Sequence, residues 1–361
     1  MKISIIVVVY NGVEYLHNLV DSLSKSIWPH DDYEIIFVDN ASGDNSLSIL
    51  DGLEKNFSFE LIKNENNLGF AGGNNIGIQK ALSNQTDYVV LLNQDTVVEP
   101  DWLEELFKTM KVNSNIGAVQ SLLLYWDSKD TVNSWGNLIH FLGFGYAGGN
   151  LEKVASNRNK IVDREITYAS GAAVMLKSEV LKSVELLDSV LESYHEDLDL
   201  GLKLRIAGYK TYLSAKSVVY HKYNFLSSLS DGNKSEGGLS GQYKYYLMER
   251  NRILIILTYY SLRTILLMFP AWVVMEIGVL LFASIRGFWR EKFKGYMWVI
   301  KSWGYVMIKR DEVQASKNIS DKEMMRDFVS VINFQEINTP LLKYFGNPLI
   351  RFYWWVFKKL I

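Results

Sequence analysis

YVVLLNQD, residues 88–95, is a short apolar run of β-branched and aromatic side chains that stops at three polar ones. Tyr88 to Leu92 reads as a buried strand, because such a run bounded by polar residues suits an interior covered on both faces. Asn93, Gln94 and Asp95 then stand at its carboxyl end. In open α/β sheets, ligands bind outside the carboxyl ends of the strands. A carboxylate there can hold a divalent cation against a diphosphate, since hard oxygen ligands suit Mg2+ or Mn2+. An Asp ahead of Pro100 serves a turn equally well, so the neighbouring segments decide its role.

Those segments alternate strand and helix signals over the first 115 residues. Ile3 to Val9, Glu34 to Val38 and Phe59 to Lys63 read as three more strands. Glu14 to Ser26, Ser46 to Lys55, Gly73 to Leu82 and Asp101 to Met110 have helical spacing. The alternation predicts a mostly parallel sheet with helices on both faces. Gly117 to Lys177 is richer in strand and turn signals and includes FLGFGYAGG, Phe141 to Gly149. Ser217 to His221 reads as a further strand, and Leu226 to Gly241 as a polar Ser/Gly loop.

Composition narrows the setting. The chain has 361 residues and no cysteine, which excludes disulfides and thiolate metal sites. MKISIIVVVYNG lacks the length and cleavage signal of a secretory leader and reads as the first buried strand. The net charge of −2 conceals an asymmetry: from Arg286 to Ile361 there are 14 Lys and Arg against 7 Asp and Glu. Six of the ten tryptophans lie beyond Pro270. A basic, Trp-rich end suits a membrane surface. The acidic first part argues against nucleic acid as the partner. Tyr243 to Tyr260 reads as a helix, followed by Thr264 to Ile285, whose only charge is Glu276. That second stretch is long enough to span a bilayer. Glu276 and Pro270 fit equally a helix lying in the interface or a re-entrant hairpin broken at the proline. A buried core helix is the remaining reading.

The chemistry-bearing residues gather after the predicted strands. Tyr10, Asn11 and Gly12 follow the first; Asp39 through Asp44 the second; Asn66 through Asn74, including Gly69, the third; Asn93 through Asp95 the fourth. An Asp at a strand end can accept hydrogen bonds from a base or from ribose hydroxyls. A Gly-rich loop entering a helix offers backbone N–H groups to phosphate. Neither dinucleotide nor P-loop spacing is matched, and each loop alone is ordinary turn chemistry. Tyr194-His195-Glu196-Asp197-Leu198-Asp199 opens a helix with three carboxylates in its first turn. Acids there complement the helix dipole, and they also suit general-base work. His221 ends the strand VVYH and, paired with Asp95, is a candidate metal ligand or phosphate contact.

Taken in order, VVVYNG, VDNASGDNS, NNLGFAGGNN, LLNQD, ASGAAVML, HEDLDLGLKLRIAGY and VVYH resemble the family 2 glycosyltransferases. Within them they are most similar to the bacterial rhamnosyltransferase-like and galactofuranosyltransferase-like branch. The match covers roughly residues 1–255. The resemblance implies a GT-A fold: an α/β, Rossmann-like, mostly parallel sheet flanked by helices, with a C-terminal membrane-associated helical region. It divides the chain into a catalytic domain, 1–225, a flexible loop, 226–241, and a helical region, 242–361. The catalytic domain comprises a nucleotide-binding half, 1–115, and an acceptor-binding half, 116–225.

The resemblance also assigns roles. Asp39 and the Tyr10–Asn11 backbone would hold base and ribose, with Asp44 supporting their loop. Asn66 and Gly69 would line the nucleotide and sugar, and Ser170 and Gly171 would flank the donor sugar and acceptor. Asp95 matches the last acid of the metal motif, His221 a metal-joining histidine, and Asp197 the general base, with Glu196 beside it. Asn93 stands where the family often has Asp, leaving Asp95 as the acidic ligand of Mg2+ or Mn2+. The implied activity is inverting, metal-dependent sugar transfer from a dTDP- or UDP-linked donor to a lipid-linked or glycan acceptor. Its place would be the cytoplasmic face of the cell membrane, in cell-surface polysaccharide synthesis, with homo-oligomers left open. Two other classes compete: a sugar nucleotidyltransferase, and a non-catalytic nucleotide-sugar-binding protein. The first would place Lys and Arg beside Asp95, where the loop has none.

Overall fold

Successive side chains of the first strand, β1 (Ile3–Val9), point to opposite faces, and both faces are covered. Ile5, Val7 and Val9 join one apolar layer and Ile6 the other. This is why the strand is an unbroken apolar run rather than an alternating one. A computed structural model describes residues 1–28, 33–53, 57–222, 241–332, 340 and 342–361.

The remaining strands are β2 (Tyr33–Asp39), β3 (Glu60–Lys63), β4 (Tyr88–Leu92), β5 (Thr96–Val98), β6 (Ile116–Tyr125), β7 (Ser128–Ser134), β8 (Asn137–Ile139), β9 (Gly145–Ala147), β10 (Arg164–Ile166), β11 (Ala173–Lys177) and β12 (Lys210–His221). The main sheet runs β10-β12-β6-β11-β4-β1-β2-β3, with β5 on β12 and β7 on β6. β4, β1, β2 and β3 are parallel neighbours. β11 is antiparallel to both β4 and β6, and β12 is parallel to β6. β4, β6 and β12 therefore end on the same edge of the sheet, and β11 begins there.

Helices α1 (Leu16–Ser24), α2 (Ser46–Leu53), α3 (Gly69–Ser83), α4 (Trp102–Lys111), α5 (Ser178–Ser183) and α6 (Glu196–Ile206) flank the sheet. Leu16, Leu19, Leu23, Trp102 and Leu106 cover one face; Ala71, Ile78, Val180 and Leu200 the other. α3 starts four residues ahead of the sequence reading. Its Gly-rich opening is helical because Gly73 and Gly77 lie against β1: a Cβ on Gly77 would be 2.4 Å from Ile6 Cγ2. β12 is likewise longer than the apolar run Ser217 to His221. Its polar residues are paired, Ser214 Oγ with Thr109 Oγ1 at 2.9 Å and Ser217 Oγ donating to the Trp102 carbonyl at 2.7 Å.

Among the described residues the chain divides into two units: 1–137 with 147–222, and 138–146 with 241–361. The second holds α7 (Gly241–Tyr259), α8 (Leu262–Arg286), α9 (Trp289–Lys301), α10 (Trp303–Ser316), α11 (Asp321–Met324) and α12 (Asn347–Leu360). Phe141 stacks on Trp354 at 4.6 Å within it. The polar loop read at Leu226 to Gly241 falls almost wholly outside the described residues. α8 runs through Pro270 without interruption, so the hairpin broken at that proline is corrected to one continuous helix. Its Ser261 cap accepts from the Thr264 N–H, and Gly287 closes it in the left-handed region.

Candidate active site

The common edge of the sheet collects the strand-end residues. Gln94 clasps the first loop: its Oε1 accepts from the Tyr10 N–H at 2.9 Å, and its Nε2 donates to the Tyr10 carbonyl at 3.0 Å. Gly12 sits under that side chain, where a Cβ would be 2.3 Å from Gln94 Oε1. Asn11 adopts a positive φ of 48° and ties the loop to the next one, its Oδ1 accepting from the Gly43 N–H at 2.8 Å. Asp44 accepts from the Ser46 N–H at 2.9 Å and the Val13 N–H at 3.3 Å, so it braces both loops.

Asp39 ends β2 beside Val9 and is buried. Its Oδ2 accepts from the Ser42 N–H at 3.2 Å, while its Oδ1 is buried without a hydrogen-bond partner. A buried carboxylate oxygen left so is costly unless a ligand donor completes it. Asn40, given no role by the sequence reading, braces the next turn. Its Nδ2 donates to Asn67 Oδ1 and to the Gly69 carbonyl, and its Oδ1 accepts from Asn64 Nδ2 and the Leu68 N–H. Asn66 is exposed on that turn. Gly69 has a φ of 70°, and a Cβ there would lie 3.0 Å from the Glu192 carbonyl oxygen.

That close approach locks the segment leading into α6. The Ala71 N–H donates to the Glu192 carbonyl at 2.9 Å and the Phe70 N–H to Ser193 Oγ at 3.4 Å. Tyr194 and His195 both take positive φ, 65° and 72°. Two such non-glycine residues in sequence store strain that the surrounding bonds must hold. The result delivers Glu196 and Asp197 at the start of α6. Asp197 accepts from the Leu198 N–H at 2.7 Å and from the Gly171 N–H. Burial pushes its pKa up to about 6, against the lowering effect of those N–H groups. Glu196 is pushed well above the carboxylate range by burial and then by the charge of Asp197. Its Oε2 is buried without a partner. Asp199, the third acid, pairs with Lys203 at 2.8 Å.

Ser170 and Gly171 form the bridge between the two ends of the site. The Ser170 N–H donates to Gln120 Oε1 at 2.8 Å, the Asn93 N–H to the Ala172 carbonyl at 2.9 Å, and Gly171 to Asp197. Gln120 was missed in the sequence because a polar residue inside an apolar strand carries no motif.

At the other end, His221 Nε2 lies 3.4 Å from Asp95 Oδ2 and 3.5 Å from Asn93 Nδ2. His221 Nδ1 faces Asn133 Oδ1 at 3.0 Å. An amide oxygen only accepts, so Nδ1 donates to Asn133 and Nε2 is the ring atom turned toward Asp95. Two electron-rich atoms so placed suit a shared cation, and an outer partner on the second nitrogen is the usual support of a metal-binding imidazole. Asp95 and His221 thus offer two donors suited to a divalent cation, while Asn93 turns its amide nitrogen toward His221 Nε2. Among the described residues no group of three or more His, Cys, Asp or Glu is placed to hold a metal. A cation here would need other ligands, as a diphosphate supplies. Asn133 also escaped the sequence reading; only the tertiary contact reveals it.

The fold is a GT-A fold. It is shared with GalNAc-T7 bound to UDP, GalNAc and Mn2+ (TM-score 0.56, 17% identity, 72% of this chain and 48% of that one). It is shared also with S. aureus TarS 1-349 in complex with UDP-GlcNAc (TM-score 0.50, 14% identity, 99% and 91%). Residues 4–184 match the family described as Glycosyl transferase family 2, and the chain belongs to that family. It is 26% identical over 208 residues to the poly-beta-1,6-N-acetyl-D-glucosamine synthase of Staphylococcus epidermidis, covering 58% of this chain and 47% of that one. It is 28% identical over 228 residues to the O-antigen biosynthesis protein RfbC of Myxococcus xanthus, covering 61% and 17%. The chain thus matches less than half the length of either relative.

Proposed function

We propose that the chain is an inverting glycosyltransferase that moves a sugar from a nucleoside-diphosphate donor to a hydroxyl of a cell-surface glycan. The observation that carries this is the convergence on one sheet edge of the unsatisfied Asp39 carboxylate, the Asp95–His221 pair and the raised-pKa Asp197. Asp39 and the Tyr10–Asn11 loop hold base and ribose, with Asp44 as brace. Asn66 and Gly69 line the donor side. Ser170 and Gly171 flank the donor sugar and the acceptor. A divalent cation, Mg2+ or Mn2+, held by Asp95, His221 and Asn93, would supply positive charge for the leaving diphosphate.

Asp197 takes the proton of the acceptor hydroxyl as its oxygen bonds to the anomeric carbon. The bond from that carbon to the diphosphate breaks on the opposite face, and its electron pair leaves with the diphosphate. One displacement inverts the configuration and needs no covalent sugar–protein intermediate. Glu196, kept protonated by burial, adds no second charge beside the base. The branch resemblance favours dTDP-rhamnose or a UDP-sugar as donor. The names of the relatives, a poly-N-acetylglucosamine synthase and an O-antigen biosynthesis protein, support a polysaccharide acceptor. The exposed apolar α8 and the basic C-terminal helices support work at the cytoplasmic face of the membrane on a lipid-linked acceptor.

The test is nucleotide release from candidate donors, with and without acceptor and EDTA. Acceptor-dependent release of UDP or dTDP, lost with EDTA, is the expected result. Pyrophosphate release would instead identify a nucleotidyltransferase. Lys222, whose backbone N–H donates to the Asp95 carbonyl at 2.9 Å, argues against that outcome, because its Nζ is engaged by Asp127 at 2.7 Å. Donor binding without any turnover would identify a binding protein.

A further inference from the structure

α8 is the one helix among the described residues long and apolar enough to cross a membrane. At 25 residues it is about 37 Å long, more than the roughly 30 Å of a hydrocarbon core. Its surroundings argue for a different placement. Leu262, Leu266, Phe269, Val273, Ile277, Leu281 and Ile285 form an exposed stripe along its full length. Thr264, Met268, Met275 and Ala283 lie on the buried side. Glu276, about 20 Å along the helix, is bound by charges from its neighbours. Arg252 of α7 and Lys292 of α9 both pair with it, Lys292 at 2.7 Å, and the Tyr296 hydroxyl donates to it. The same two cations hold Glu249, Arg252 at 2.8 Å and Lys292 at 2.6 Å.

We infer that α8 lies in the plane of the membrane interface, its exposed stripe in the acyl layer, and does not cross the bilayer. The inference rests on the membrane association proposed above. If α8 spanned, Glu276 would sit near the bilayer centre and draw Arg252, Glu249 and Lys292 to that depth. The neighbouring charges of α9, Arg290, Glu291 and Lys294, would follow. Charged groups at the centre of a bilayer are costly, by about 3 kcal/mol each on the lowest scales. Lying flat, α8 keeps the whole network on its protein side.

Two neighbouring helices show the pattern of interfacial helices. Trp289, Phe293, Met297 and Ile300 form an exposed stripe on α9; Leu349, Phe352, Val356 and Leu360 form one on α12. No acidic residue occurs from Pro340 to Ile361, while Lys343, Arg351, Lys358 and Lys359 do. Lys359 Nζ lies 3.6 Å over the exposed Trp355 ring. Such a cation-bearing apolar face complements anionic headgroups above an acyl layer.

The absence of native cysteine gives a clean test. Arg263→Cys and Arg286→Cys place single thiols at the two exposed ends of α8 in the full-length chain. Each variant is expressed, and sealed membrane vesicles with the cytoplasmic side outward are treated with a membrane-impermeant maleimide. The expected result is labelling of both positions without detergent, with the protein sedimenting with the vesicles. Labelling of one end only, the other appearing after detergent, would overturn the in-plane placement and leave membrane association standing. A protein that stays in the supernatant would overturn both.

Discussion

Asp197 shows how much of a residue's chemistry is environment. Burial raises its pKa to about 6 while the backbone N–H groups of Leu198, Gly171 and Asp197 itself work against that rise. A base must be ionised to take a proton, so transfer should fall as pH drops through about 6 and level off above it. A pH profile of kcat/KM checks this. Asp197→Asn should lower kcat by about 10²–10⁴-fold with donor affinity retained in a binding assay; near wild-type turnover would remove Asp197 from the role. Glu196→Gln, which copies the protonated acid, should leave the acid limb of that profile in place. At the other end, Asn133→Leu should weaken Mn2+ binding about 10–100-fold, read by titration of the protein with the metal in the presence of UDP. The acids and His221 were legible because strand-end carboxylates and the order of motifs mark them. Asn133, Gln120 and the bracing work of Asn40 were not, because each acts through a partner distant in sequence.

Elements tell the opposite story about local signals. α3 has four glycines among its 15 residues, and glycine disfavours helix by roughly 1 kcal/mol each relative to alanine. The helix forms because Gly73 and Gly77 let it approach β1 and β2. Gly77→Ala should therefore destabilise the protein by about 1–3 kcal/mol despite its better propensity, seen as a lowered thermal unfolding midpoint. The sequence placed this helix late for the same reason: its Gly-rich start looks like a loop until the strand beneath it is known. β12 was read short because its polar residues hide its length; their side-chain partners on α4 and β6 are tertiary facts. α8 was read within two residues at its N-terminal end, since apolar length needs no context.

For the whole molecule, the parallel β4-β1-β2-β3 core follows from alternation of strand and helix signals, and the antiparallel β11 closes it against β6. That closure brings Gly171 beside Asp197 and sets the end of β12 on the edge where β4 ends. At this scale the expected behaviour of the full chain is binding to vesicles containing anionic lipid, stronger than to neutral vesicles and weakened by salt, in a sedimentation assay. Equal binding to both would remove the basic C-terminal helices from that role.

By itself the sequence determined the alternating α/β core, the strand-end acids and the apolar, basic, Trp-rich end. These depend on periodicity and composition, which are local. Only the tertiary structure decided that Asp39 keeps an unsatisfied oxygen, that Asn133 orients His221, and that Glu276 faces two cations rather than lipid. Each of these is a meeting of side chains far apart in the chain, and burial and pairing there follow from topology that no local pattern contains.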